Sequence, residues 1–533
     1  MTDTKFIRAG RVISEFSKDA DTVAIRQGKI AAVGKFEALR QERPDAPVES
    51  FPDAVITAGL IDGHAHPVWG LEMSRGADLS ACETRADLIQ ALQQEAATLG
   101  SDDWVFGWGM LPTALETDEV TNDFITEALG ADRYVYITMF DAHSALVSDP
   151  VLALAELSEP VSTVDGGGIV QRRDGSGLSG HVLEFSAIDL VLPVVPRPSV
   201  EFQANRLVEL LTGMAEAGLT EAYVPDARPR DLVAILEHIE ANGELPIRLR
   251  ISPWCTPDME AADVQRLVDQ QGQGGRRWCF EGVKLFIDGT VDGGTAWLEE
   301  PDTYGECLSS FWHDPQKYAE HVRTLHLNGV ATITHAIGDQ GVRFVAETLA
   351  ALPKNGVQHR IDHLEIVAED VIEFIGENQL TVCVQPSHCT LFTHPEGADT
   401  WSKRLGAPRN QQGWKTRSFL QAGVVEALGS DWPVADYDPR GIIADAQLRY
   451  PHDRNTKPIH PEQALTAAEA LRGYTGYVPR SVGRTGSTLQ VGEPADLTVW
   501  ARDPRDTDPV DLPKVEILAT CVDGQFVVDT RKH

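Results

Sequence analysis

Apolar and polar residues alternate at both ends of the chain. "FIRAGRVISEF" and "DTVAIRQGKIAAVGKF" set single apolar positions against polar ones around Gly and Asp turns, the pattern of antiparallel strands with one solvated face. The far end repeats it in "GSTLQVGEPADLTVWARDP" and "VEILATCVDGQFVVD". Residues 1–55 and 485–533 are therefore expected to close on each other as one small β-sandwich domain.

Between them the period changes. Branched apolar runs ("AVITAGLID", "LTEAYVPDA", "IRLRISPW", "GVKLFIDGT", "GVATITHAIGD", "RIDHLEIV", "LTVCVQPSH", "VVEALGSDWPV") alternate with helical stretches such as "RDLVAILEHIEANG" and "YAEHVRTLHLNG", each ending on Gly. Strands of that kind, separated by helices, are buried on both faces. Residues 56–484 are accordingly read as an α/β unit, a parallel (β/α)8 TIM-like barrel. Residues 69–200 break the rhythm with a helix ("TRADLIQALQQEAATLG"), an aromatic turn ("DWVFGWGM"), a strand ("RYVYITMFDAHSALVS") and a glycine-rich hairpin ("GGGIVQRRDGSGLSGHVLE"). They are expected to form a long insertion after barrel strand 1 that covers the active-site mouth.

Composition narrows the partners. A chain of 533 residues exceeds one hydrophobic core, which agrees with more than one structural unit. Its 46 Lys and Arg against 80 Asp and Glu leave a net charge of -34, which repels nucleic acid and anionic membranes. No apolar stretch reaches the roughly 18 residues of a membrane span. The start "MTDTKFIRAGRVISEF" has no apolar leader region, so a cytoplasmic location is the expectation. The seven cysteines lack a CxxC pair, which argues against a disulfide framework and a thiolate zinc site.

The chemistry gathers at strand ends. "GLIDGHAH" closes the first barrel strand with His64 and His66; His335 ends "VATITHA", His363 ends "RIDH", and Asp431 follows "VVEALGS". Lys284 lies inside "GVKLFIDGT", where an unpaired ammonium costs several kcal/mol. One resolution is an ion pair with Asp288. The other is capture of carbon dioxide by the amine, giving a carbamate that bridges two divalent ions, with His64, His66 and Asp431 on one and His335 and His363 on the other. Imidazole with carboxylate suits zinc.

Taken together, "DGHAH", "GVKLFIDGT", "HAIGD", "HRIDHLE", "VQPSH" and "GSDWPV" resemble the amidohydrolase superfamily. Within it the chain is similar to amidohydrolase family 3, the YtcJ-like proteins that include N-substituted formamide deformylases. The resemblance implies two metal ions, most often Zn2+, bridged by N6-carboxylysine at Lys284 and held by His64, His66, His335, His363 and Asp431. It also implies that "VDGGTAW", with Thr295 and Trp297, belongs to the pocket. One departure is "DAHSALVSDP", where family members often carry an Asn after the His; that touches specificity rather than metal chemistry.

The expected reaction is hydrolysis of a C–N bond in an amide, N-substituted formamide or carbamate by a metal-activated hydroxide, with Asp431 as general base and then acid. Trp108, His143, His388 and Trp432 join Thr295 and Trp297 as candidates for substrate contact, which favours a small molecule with an apolar or aromatic nitrogen substituent. A homodimer is compatible with this reading. The competing readings are an esterase or lactonase on the same metals, a mononuclear deaminase, which Lys284 argues against, and a non-catalytic binding protein on an enzyme scaffold.

Overall fold

Apolar runs become parallel strands wherever helices follow them. In the computed structural model, which describes residues 4–14, 16–117, 119–163, 167–226 and 231–532, two parallel sheets form the centre. Leu60–Asp62, Leu219–Val224, Arg248–Ile251 and Trp278–Phe280 make up one; Val283–Phe286, Thr332–Ala336, Arg360–His363, Thr381–Val384 and Val425–Leu428 make up the other. Trp278–Phe280 and Val283–Phe286 are successive stretches of one run, broken at Gly282, whose φ of 77° suits glycine.

The two sheets meet along both edges. Lys284 N donates to Pro253 O at 2.9 Å and Cys255 N to Lys284 O at 2.8 Å on one side; Gly63 N donates to Leu428 O at 3.0 Å on the other. The result is TIM-barrel-like, with the C-terminal strand ends collected on one face. Every residue of Thr332–Ala336, Arg360–His363 and Thr381–Val384 is buried, as strands covered on both sides require. The covering helices have clear sequence signals. Pro315–Leu327 starts on the Asp314 side chain, which accepts from Gln316 N, and Leu232–Asn242 stops at Gly243.

The chain ends build one seven-stranded sheet where a sandwich of two was expected. Its order is Gln525–Asp529, Ile517–Val522, Leu497–Trp500, Val48–Ala58, Thr4–Val12, Thr22–Arg26, Lys29–Gly34. The reason lies in Val48–Ala58, which at 11 residues is long enough to pair with Thr4–Val12 in parallel and with Leu497–Trp500 antiparallel on its other edge. Arg248, at the start of its barrel strand and paired with the neighbouring barrel strand's Glu221 (2.9 Å), ties this sheet to the barrel through Asp496 (2.8 Å) and Asp523 (2.7 Å).

Between Leu60–Asp62 and Leu219–Val224 lies a second seven-stranded sheet, formed within residues 77–183. It has its own core of Leu79, Leu88, Val105, Phe124 and Ile137. Two expectations change here. "DWVFGWGM" is not a turn, because its alternation places Val105–Met110 in the sheet. "RYVYITMFDAHSALVS" is two antiparallel strands, Val135–Met139 and Ser144–Val147, reversed at Ala142 with φ 57°. No helix among the described residues is long and apolar enough to cross a membrane.

Away from the face that collects the C-terminal strand ends, a buried imidazole pair links helix to sheet. Thr332 N donates to His359 Nδ1 (3.0 Å), His359 Nε2 donates to His326 Nδ1 (2.8 Å), and His326 Nε2 donates to Pro353 O (2.7 Å). This chain of bonds requires His359 Nδ1 to be an unprotonated acceptor. Burial first, and His326 second, push His359 down to about 3. Its folded value lies below its unfolded value, so the stability it contributes is complete above about pH 6.5 and is lost progressively as pH falls towards 3. Urea unfolding at pH 7.5 and pH 5 is expected to show His359→Gln losing about 2 kcal/mol less than wild type between the two conditions. An identical drop in both proteins would assign the acid sensitivity elsewhere.

Candidate active site

Asp62 ties the first histidine loop to the last barrel strand. Its Oδ1 accepts from His64 N and from Ser430 N, each at 3.0 Å, so the turns carrying His64 and Asp431 are stitched together. Asp431 N in turn donates to His64 O at 2.7 Å. Asp431 has φ 58° and His363 has φ 79°, backbone conformations that cost energy and turn both side chains out of the regular strand path.

The imidazoles are aimed by carboxylates behind them. His64 Nδ1 donates to Asp362 at 2.5 Å and His66 Nδ1 donates to Asp226 at 2.9 Å. This leaves each Nε2 facing Asp431 Oδ1, at 3.4 and 2.9 Å. Asp362 is itself fixed by the buried Arg360, whose Nε and NH2 donate to it at 2.7 and 2.9 Å. On the opposite side, His363 Nδ1 and His388 Nε2 approach Asp431 Oδ2 at 3.9 and 3.7 Å. His388 Nε2 is buried and has no hydrogen-bond partner among the described residues.

These distances decide what the cluster can hold. Ligand atoms bound to one zinc-sized ion at about 2.1 Å lie roughly 3.0–3.4 Å apart. His64, His66 and Asp431 already meet that spacing for two of their contacts; His363, His388 and Asp431 stand a few tenths of an ångström wider. In both groups all ligand atoms lie within 4.8 Å of one another. His335 is oriented differently: its Nε2 donates to Gly289 O at 3.1 Å, so only Nδ1 is free, and its ring lies 4.3 Å from that of His363.

Electrostatics agree with a cationic centre. Burial first, and Lys284 among other cations, hold His64, His335 and His363 well below the usual histidine range, so they are neutral donors. Burial opposes charge on His66 too, but the carboxylates of Asp226 and Asp431 outweigh it and raise His66 to about 9. A positive charge is thus called for between those two carboxylates. Such carboxylate-backed histidines around a shared carboxylate are the donor set of a divalent metal site.

Lys284 has no carboxylate within ion-pair distance among the described residues. It is 1% exposed, its Nζ stands 4.7 Å over the Phe286 ring, and burial pushes it down to about 8. Asp288 is engaged elsewhere, accepting from the backbone N of Trp297 (2.9 Å), Ile337 (3.0 Å) and Gly338 (2.8 Å). The ion pair weighed as the alternative is therefore absent.

A cavity of about 700 Å3 opens over these groups. His64, His66, Lys284, His335, His363, His388 and Asp431 all line it, and the insertion supplies His143. Glu184, 2% exposed, accepts from His143 Nδ1 at 2.9 Å and fixes its ring 5.1 Å from that of His335. Trp401 and Trp414 form an aromatic wall beside Asp292 and Glu365. Burial and the neighbouring Asp141 lift Asp292 to about 7, while burial and Asp292 raise Glu365 well above the usual range, so this wall offers carboxyl protons near neutral pH.

The other sequence candidates lie outside this cavity. Trp108 lines a neighbouring cavity behind Phe140 and Phe392. Thr295 accepts from Thr290 N at 3.0 Å within the loop after Lys284, Trp297 packs on Phe344 at 5.5 Å, and Trp432 packs on Tyr437 at 6.5 Å. Asp226, Asp362, Arg360 and Glu184 were not anticipated. Asp226 carried the same signal as the histidines, a polar residue ending an apolar run; Asp362 and Arg360 were hidden by their neighbour His363.

Comparison with known proteins places these features in context. The sequence model of the Amidohydrolase family matches residues 53–528. YtcJ of Bacillus subtilis (strain 168) is 27% identical over 524 residues, covering 96% of each chain. The N-substituted formamide deformylase of Arthrobacter pascens is 23% identical over 551 residues, covering 98% of each. Among solved structures, an uncharacterized metal-dependent hydrolase from Pyrococcus horikoshii OT3 superposes with a TM-score of 0.72 at 19% identity, over 95% of this chain and 99% of that one.

Proposed function

We propose, from the premise that this chain belongs to the amidohydrolase family, that it is a metal-dependent hydrolase cleaving the C–N bond of an amide, N-substituted formamide or carbamate. The observation that carries this reading is the convergence of His64, His66, His363 and His388 on the two oxygens of Asp431. His64, His66 and Asp431 would hold one zinc ion, and His363 with His335 or His388 a second. Lys284 would bridge them as N6-carboxylysine. Its low pKa supports this, because only a neutral amine combines with carbon dioxide. When bound, such ions activate water at neutral pH and polarise a carbonyl.

The chain's own residues then divide the work. Asp431 accepts a proton from the attacking water as the C–O bond forms, then returns it to nitrogen as the C–N bond breaks. Glu184 holds the His143 Nδ1–H, so Nε2 is left to face the substrate carbonyl; when protonated it donates to that oxygen. The aromatic walls exclude water and favour an apolar or aromatic substituent on a small-molecule substrate.

Zinc-loaded protein assayed against N-formyl, N-acetyl and carbamate derivatives of aromatic and aliphatic amines should release amine. Turnover of esters or lactones alone would replace C–N by C–O cleavage, and no turnover of any class would overturn the enzymatic reading. His143→Ala is expected to retain its metal while kcat/KM falls about tenfold or more, unequally across nitrogen substituents. An unchanged substrate profile would remove His143 from the pocket chemistry.

A further inference from the structure

The reaction cavity shares walls with neighbours of different chemistry. One is lined by Glu72, Arg75 and Arg197, and another by His394, His460 and Glu462. A third, of about 420 Å3, has no ionisable side chain among its lining residues. Met73, Trp108, Leu111 and Met139 supply its apolar wall, and Ser80 and Thr138 its hydroxyls.

This annex and the reaction cavity are separated by residues they share. The rings of Phe140 and Phe392 stand 5.1 Å apart at 53° and form the partition, while Ala142 and Val434 also face both spaces. Both ends of the boundary are tied to the catalytic groups. Phe392 ends the helix Pro386–Phe392 that carries His388, and its ring lies 5.7 Å from the His388 ring. Val434 N donates to Asp431 O at 2.9 Å, so the annex floor is one turn from the proton-carrying carboxylate.

We infer that the annex receives the distal part of the substituent on the leaving nitrogen, making the substrates N-substituted amides whose substituent is uncharged and longer than a single ring. The inference rests on the C–N hydrolysis proposed above. The leaving nitrogen must come to Asp431 to be protonated, and a substituent on that nitrogen directed along Val434 and Ala142, which border both spaces, would reach the annex beside the Phe140–Phe392 partition. A charged terminus is disfavoured, because nothing lining the annex would pair with it. Each methylene that enters an apolar pocket raises affinity about fourfold.

The test uses zinc-loaded full-length protein and N-alkylformamides from methyl to decyl, with amine release and calorimetric affinity as separate readouts. In wild type both kcat/KM and affinity should climb with chain length beyond hexyl. Leu111→Trp, which fills the annex, should lower the octyl-to-methyl ratio at least tenfold. Trp108→Ala, which enlarges it, should move the optimum to longer chains. Flat length dependence in wild type, or unchanged ratios in both variants, overturns the annex. If no formamide is hydrolysed, the reaction assignment fails, and calorimetry alone decides the annex: length-dependent affinity lost in Leu111→Trp supports it, and its absence refutes it.

Discussion

Asp431→Asn protein is expected to keep more than half its metal and to turn over substrate about a thousandfold more slowly. Asn retains a carbonyl oxygen at the place of Oδ1, and the histidines around it are aimed independently, His64 by Asp362 and His66 by Asp226. On the proposed mechanism, the amide cannot accept a proton from water and pass it to nitrogen, so bond breaking would lose its acid and its base together. Metal content by mass spectrometry and single-turnover rates check the two halves separately. Turnover within tenfold of wild type would take the proton from Asp431 and give it to another group, with His143 next in line.

If Lys284 is the carboxylated bridge proposed above, Lys284→Ala should lose metal and activity together, because the proposed shared ligand is removed. The structure adds a control. Lys284 is buried without an ion-pair partner among the described residues, so Lys284→Met, which keeps the volume and removes the amine, is expected to lose metal as fully while the metal-free protein melts no lower than wild type. Short carboxylic acids should restore part of the metal and activity to Lys284→Ala, since they would place a carboxylate where the proposed carbamate would stand. Full activity in either variant ends the proposal of a carboxylated lysine.

The barrel pattern was readable because burial on both faces leaves near-continuous apolar runs, in which His335, His363 and Lys284 stand out against Val, Ile and Leu. The cluster's supporting carboxylates were harder to read. Asp362 and Arg360 alternate within a four-residue strand whose every position is buried, so no periodicity marks them as different from their neighbours. The pairing of both chain ends was anticipated from their shared alternation, but a single sheet and a sandwich produce the same alternation, and only the length of Val48–Ala58 distinguishes them. Trp297 and Trp432 show the converse limit. A large aromatic beside a catalytic motif meets packing demands as readily as substrate, and here both pack against aromatic neighbours.

The strand Val48–Ala58 imposes an order on how the protein comes into being. Trp500 Nε1 donates to Thr57 Oγ1 across 443 residues, so that edge of the strand has no partner until almost the whole chain has left the ribosome. At about 5–20 residues per second the wait lasts roughly 20–90 s. Throughout synthesis the nascent chain therefore exposes "AVITA", an open β-edge without a charged residue, to other chains on the same message. Yield of soluble protein should accordingly depend on translation speed and on chaperone capture of the first sixty or so residues more than on the stability of the finished barrel.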